Sequence, residues 1–69
     1  MYLNLQAEMV RVGLRKSDLA RAIGKTERSV RGKIKGTLPF TLSEALTIKN
    51  KFFSNLSLDY LFDNASGDG

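Results

Sequence analysis

The apolar residues of this chain recur every three or four positions, which is the spacing of amphipathic α-helices. The first stripe predicts a helix over residues 2–12 that ends at Gly13, with an apolar side formed by Tyr2, Leu3, Leu5, Met9 and Val12. Apolar and polar residues show no sustained alternation, and no hairpin-turn dipeptide separates two apolar runs, so no strand is expected. The pattern predicts an all-α domain of five helices.

A second helical pattern begins after Arg15 and is ended by Gly24. Arg15 is the expected N-cap, and Asp18 is the third helical residue, where a carboxylate suits the helix dipole. Because arginine is a poor cap, at a cost of roughly 1 kcal/mol, its positive side chain is expected to have another role, such as reaching phosphate. The buried side is expected to consist of Leu19, Ala20 and Ile23.

The third helical pattern follows so closely that the chain must turn sharply between the two. Lys25 alone separates the second helix's stop from Thr26, the expected N-cap, and the helix runs from about residue 27 to Gly36. Its buried side is formed by Val30 and Ile34. Its outward side carries Glu27, Arg28, Arg31 and Gly32.

The last two predicted helices contribute further apolar residues to the expected core. Thr41 and Glu44 form a capping box for a fourth helix that ends near residue 53, with an apolar face of Leu42, Ala45, Leu46, Ile48, Phe52 and Phe53. Ser57 caps a short fifth helix whose apolar side is Leu58, Leu61 and Phe62. Residues 1–63 are therefore expected to form one domain, and the polar, glycine-containing residues 64–69 a disordered tail.

The positive charge is concentrated in one third of the chain. Residues 11–35 hold nine of the eleven basic residues against two acidic ones, a net charge of +7, whereas the remainder has two basic and five acidic residues, a net charge of −3. A segment of this kind favours a polyanionic partner, and the alternative is a solvated basic face without one.

Several classes of protein are disfavoured. The chain has no histidine or cysteine, and its seven carboxylates are not clustered, so no catalytic, metal or cofactor site is expected and the protein is not expected to be an enzyme. No apolar run approaches the roughly 18 residues of a membrane span. No signal-peptide pattern begins the chain, so an intracellular protein is expected.

Seven short pieces lie along the chain at characteristic spacings: Gly13-Leu14, Asp18-Leu19-Ala20, Ile23-Gly24, Ser29-Val30, Lys33-Ile34-Lys35-Gly36, Phe40-Thr41-Leu42 and Ser57-Leu58-Asp59-Tyr60-Leu61-Phe62. In this order and at these spacings, they resemble the lambda-repressor-like helix-turn-helix domains of phage repressors and Cro proteins. The resemblance covers about residues 4–63. The resemblance implies a compact five-helix fold and sequence-specific binding to double-stranded DNA, with the third helix in the major groove. It also implies a phage or prophage regulator in the cytoplasm of a bacterial host.

The family reads bases with the first exposed residues of its third helix. The resemblance therefore implies base contacts from Glu27 and Arg28, and from Arg31 and Gly32 one turn later. An arginine suits guanine O6 and N7, and Glu27 suits either cytosine N4 or the orientation of a neighbouring arginine. Gly32 has two explanations: simple tolerance, or a close approach of the helix to the DNA backbone or a thymine methyl group.

Phosphate contacts are expected around the same surface. Lys16 holds the position at which the family usually binds phosphate through a glutamine. The residues expected to bind phosphate are Arg15, Lys16, Lys25, Ser29, Lys35 and Thr37. The sequence departs from several phage repressors at Met9 and Ile34, where those proteins pair a buried arginine with a glutamate.

A single domain of this size covers little DNA, so we expect a homodimer on a palindromic operator with half-sites roughly 34 Å apart. The expected dimer contact is the last helix, through Leu58, Leu61 and Phe62; the alternative is that these residues only close the core. A different function is also open. Glu27, Gly32 and the aromatic pair Phe52-Phe53 suit a protein-interaction module that keeps the fold but binds a partner repressor, as an antirepressor would.

Overall fold

The computed structural model describes residues 1–63, and the expectation of a disordered tail over residues 64–69 lies outside them. The described chain is all helical, without strands, so the prediction of an all-α fold with five helices is confirmed. The helices are α1 (Leu3–Val12), α2 (Lys16–Ile23), α3 (Glu27–Lys35), α4 (Leu42–Phe52) and α5 (Leu58–Leu61). No described helix has the length and apolar character that crossing a membrane requires.

Each helix starts and stops where local chemistry dictates. The hydroxyl oxygens of Thr26, Thr41 and Ser57 each accept a hydrogen bond from the backbone N–H three residues later, at 3.1 Å, as the predicted caps require. Gly24 ends α2 at φ 71°, in the left-handed region that favours glycine. Gly36 ends α3 in the same way at φ 101°.

The core lies where α2, α4 and α5 meet the inner sides of α1 and α3. Its buried apolar residues are Leu5, Met9, Leu19, Ala20, Val30, Ile34, Ala45, Ile48, Phe53 and Leu61. α2 packs against both α3 and α4, while α5 packs against α4 and α1. Met9 and Ile34 are both buried and belong to this same apolar cluster.

Four residues predicted on apolar faces are exposed. Leu3 and Val12 occupy the two ends of α1 and are 52% and 57% exposed. Leu42 and Leu46 are exposed because they lie about a third of a turn or more around α4 from the fully buried Ile48, at about 3.6 residues per turn. The apolar faces of α1 and α4 are thus narrower than the sequence pattern predicts.

Two polar contacts inside the fold were not predicted. The Lys33 ammonium lies 3.0 Å from Glu44 Oε1 and donates a hydrogen bond to the Pro39 carbonyl at 2.9 Å, with both charged side chains about nine-tenths buried. The Tyr60 hydroxyl donates to the buried carboxylate of Glu8 at 2.8 Å. The first contact holds α3 against α4, and the second holds α5 against α1.

Candidate nucleic-acid interface

The connection between α2 and α3 is short and fixed by backbone bonds. The Lys25 N–H donates to the Ala20 carbonyl at 2.9 Å, and Thr26 begins α3 immediately afterwards. The same two helices pack against each other. Because Val30 faces the core, the opposite side of α3 is turned to solvent.

A cleft of about 570 Å³ opens between α1, α2 and α3. It brings together four of the predicted site residues: Arg15 and Lys16 at the start of α2, and Glu27 and Arg31 on α3. The remaining lining residues are Gln6, Met9, Val10, Leu14 and Ser17. The contribution of α1 was missed in the sequence, because Gln6 and Val10 belong to neither its apolar face nor a charge cluster.

The helix ends that face this cleft carry an unusual charge distribution. Arg15 is the N-cap of α2 and Lys16 its first residue, and Arg28 is the second residue of α3. Positive side chains at these places oppose the helix dipole, at a cost of typically 0.3–1 kcal/mol each. Each of these first turns also carries one acid, Asp18 in α2 and Glu27 in α3. The start of α2 therefore keeps an excess of positive charge beside the helix-dipole potential, whereas Glu27 balances Arg28 at the start of α3.

Both the backbone and the side chain of Arg15 contact Asp18, three residues later in the chain. Its backbone N–H donates to Asp18 Oδ2 at 2.9 Å, and its guanidinium Nε lies 3.8 Å from the same oxygen, with the arginine side chain 80% exposed. The carboxylate thus satisfies the N–H of the cap residue, while the Asp18 N–H donates to the Arg15 carbonyl at 2.9 Å. The guanidinium remains accessible from the cleft.

Glu27 and Arg31 form an ion pair on the outward side of α3. Arg31 Nη2 lies 3.6 Å from Glu27 Oε2, and 65% of the arginine and 53% of the glutamate side chain are exposed. The carboxylate of Glu27 therefore lies beside an arginine, and both roles expected for it in DNA recognition stay predictions. Arg28 is exposed and forms no ion pair within the described chain.

Gly32 is explained by the protein itself. A Cβ atom there would stand 3.1 Å from both Leu38 Cδ1 and Thr37 Oγ1, so the missing side chain makes room for the turn that follows α3. The Thr37 hydroxyl donates to the Gly32 carbonyl at 3.1 Å. The absence of a side chain at this position thus has an internal explanation, and its base contact stays a prediction.

The other predicted phosphate-binding residues do not line the cleft. Lys25, Lys35 and Thr37 are exposed, whereas Ser29 is half-buried. Lys33, counted in the basic segment, points inward to Glu44 and contributes no charge to this face.

The predicted dimer contact is only partly at the surface. Leu61 is fully buried, because the core closes over it, so the expectation that it offers exposed apolar atoms is wrong. Leu58 and Phe62 are half-buried and line a groove of about 700 Å³ with Phe40, Leu42, Asp59 and other residues. Whether the groove contacts a second copy stays a prediction.

Two of the features that suggested a protein-interaction module also have structural roles. Phe53 is buried in the core, and Phe52 packs against it with ring centroids 6.4 Å apart. The gap at Gly32 is filled by Leu38 and Thr37.

No family model matches this chain, and no curated protein or solved structure matches it either. Within the described residues, no group of three or more histidine, cysteine, aspartate or glutamate side chains could hold a metal ion.

Proposed function

We propose that this protein is a sequence-specific regulator of transcription that binds double-stranded DNA through a lambda-repressor-like helix-turn-helix formed by α2 and α3. The observation that carries the proposal is the cleft onto which both α2 and α3 open, with Arg15 and Lys16 on one side and Arg31 on the other. The major groove is wide enough to admit one α-helix, and α3 is the helix whose outward side is charged.

In this proposal the start of α2 binds the sugar–phosphate backbone. Lys16 supplies a point charge, Arg15 a planar set of donors, and the backbone N–H groups of the first turn of α2 point in the same direction. Lys25, Ser29, Lys35 and Thr37 bind phosphates beyond the edges of the cleft. These contacts fix the position of α3 but carry no sequence information.

The sequence is read from α3. Arg28, which is exposed and unpaired within the described chain, donates to guanine O6 and N7 in the major groove. Arg31 and Glu27 lie one turn apart on the same helix and complete the reading surface.

Regulation follows from occupying an operator in the cytoplasm of a bacterial host. Two copies bind a palindromic site, with α3 of each copy in successive major grooves roughly 34 Å apart. Leu58 and Phe62, with their groove beside α5, provide the contact between the copies.

The test begins with selection of bound sequences from a random duplex pool, followed by titration of the recovered duplex at several salt concentrations. The logarithm of the binding constant should fall linearly with the logarithm of the salt concentration, with a slope of about −0.9 for each phosphate neutralised. Lys16→Ala should weaken all sequences alike and reduce the slope by about 1, whereas Arg28→Ala should relax the preference at one position by about 1–3 kcal/mol.

Lys51→Ala is the matched control, because it removes one positive charge from the exposed surface of α4, away from the cleft. It should leave the slope and the recovered sequence unchanged. Absent binding at low salt, binding that does not depend on salt, or equal effects of the Lys16 and Lys51 substitutions would overturn the proposal.

A further inference from the structure

The ion pair on α3 presents a donor and an acceptor side by side. Arg31 extends back along the helix so that Nη2 lies 3.6 Å from Glu27 Oε2, and more than half of each side chain is accessible. Exposed pairs of this kind contribute little to stability. What the pair does provide is a fixed order of hydrogen-bonding groups on the outward side of the helix, with the acceptor nearer its N-terminus.

A G·C base pair presents the complementary order in the major groove. Guanine offers the acceptors O6 and N7, and cytosine offers the N4 amino donor next to O6. Because O6 and N4 are joined by a Watson–Crick hydrogen bond, they are about 2.9 Å apart, close to the separation of the two side-chain groups. A guanidinium over guanine and a carboxylate over cytosine therefore fit one base pair together.

We propose that Glu27 and Arg31 read a single G·C pair as a unit, with Arg31 over guanine and Glu27 over cytosine. This inference rests on the proposed function, and it makes Glu27 a specificity-determining residue. Its carboxylate only accepts hydrogen bonds, so it favours the amino group of cytosine and is repelled by any base that places an acceptor opposite it.

The other three base pairs rank below this one for physical reasons. T·A keeps the order of acceptor and donor, but thymine carries a methyl group where guanine carries N7, so Arg31 loses one of two hydrogen bonds. A·T places thymine O4 opposite Glu27. The reversed C·G pair is the least favourable, because guanine O6 faces the carboxylate of Glu27 and the cytosine amino group faces the donors of Arg31.

The pair also accounts for an acidic residue on a face that binds phosphate. Glu27 weakens binding to every duplex through repulsion, and only an amino group opposite it, from cytosine or adenine, offsets that loss. Neutralising the charge of Glu27 should therefore raise the affinity for unrelated duplexes and lower the discrimination between base pairs.

The experiment is selection from a random duplex pool with the wild-type chain, Glu27→Gln and Arg31→Lys, followed by titrations on duplexes that differ at one base pair. Wild type should discriminate G·C from C·G at one position on the order of 5- to 150-fold. Glu27→Gln should weaken that discrimination at this position alone, because an amide both donates and accepts while Arg31 still favours guanine, and it should bind unrelated duplexes more tightly at low salt. Arg31→Lys should lose the preference for guanine over thymine at the same position, because an ammonium lacks the planar fork.

Asn50→Lys is the matched control, because it raises the net charge by one, as Glu27→Gln does, at an exposed position of α4 outside the cleft and the groove. It should leave the recovered sequence unchanged. If wild type recovers a sequence and both α3 variants recover the same one with equal discrimination, the paired reading is wrong while DNA binding stands. Losses spread over different base pairs for the two variants also contradict it. If wild type binds no duplex DNA, the proposed function and the paired reading fail together.

Discussion

The buried pair between Lys33 and Glu44 can be tested by removing its charge while keeping its cap. In the capping box of α4, Glu44 Oε1 accepts from the Thr41 N–H at 3.0 Å, and the same oxygen lies 3.0 Å from the Lys33 ammonium. Glutamine also completes a capping box. Glu44→Gln therefore retains the cap and leaves the ammonium without a counter-charge.

The expected cost is large for a domain of this size. Removing one partner of a fully buried pair costs about 3–5 kcal/mol, and we expect about 2–3 kcal/mol here because Lys33 keeps the Pro39 carbonyl and its side chain retains 9% exposure. The structure describes 63 residues, and a domain of that length is expected to have a free energy of unfolding of roughly 3–9 kcal/mol. The melting temperature should fall by roughly 8–24 °C.

The assay is urea unfolding at pH 7, followed by far-UV circular dichroism, on a double-mutant cycle of Glu44→Gln and Lys33→Met. Lys33→Met removes the buried charge as well, so the double variant should be more stable than the sum of the single changes predicts, by about 1 kcal/mol or more. The exposed pair of Glu27 and Arg31 gives a matched cycle through Glu27→Gln and Arg31→Met. Its coupling energy should be at most about 0.5 kcal/mol. Equal coupling in the two cycles would refute the argument from burial.

Two further predictions concern the same region. Burial alone would raise the pKa of Glu44, but the Thr41 N–H and Lys33 outweigh it and hold that pKa below its ordinary value of 4.5. As the pH falls, the unfolded chain takes up the proton before the folded chain does, so the stability present above pH 4.5 is lost as the pH falls through the folded-state pKa. In a plot of the urea midpoint against pH, Glu44→Gln should remove this decrease. Gly32→Ala adds helix propensity of about 1 kcal/mol but crowds Leu38 at 3.1 Å, so it should stabilise the chain more in a Leu38→Ala background than in the wild type. An equal change in the free energy of unfolding in both backgrounds would show that this contact does not oppose the substitution.

The helix boundaries could be predicted because they depend on neighbours in sequence. Thr26 and Ser57 cap helices through hydrogen bonds to residues three positions away, and Gly24 ends α2 through its own backbone angle. No tertiary contact is needed for these features. The number and order of the helices therefore followed from the sequence.

The distribution of side chains between core and surface was less predictable, because it depends on which elements meet. Lys33 follows the buried Val30 by three positions, but it lies in a basic segment and is eleven positions from Glu44, so the sequence does not reveal that the two charges meet inside the fold. Leu61 and Leu58 look equivalent on one turn of helix, yet only Leu61 is fully buried. In the candidate site, the residues at the starts of α2 and α3 could be named, but the contribution of α1 and the internal role of Gly32 required the packed structure.

The charges at helix ends give a last prediction in which stability and function oppose each other. Lys16 is the first residue of α2, where a positive charge opposes the dipole, and Lys51 is in the last turn of α4, where it favours the dipole. Lys16→Glu should therefore raise the free energy of unfolding, and Lys51→Glu should lower it, each by about 0.3–1 kcal/mol in low salt. Only Lys16→Glu should abolish DNA binding, although both variants change the net charge equally. A shift of the same sign in both variants would mean that net charge, rather than helix-end placement, determines the effect. Because Lys16 stabilises the fold less than an acidic residue would, its presence at the start of α2 is expected to serve the binding of an anionic ligand there.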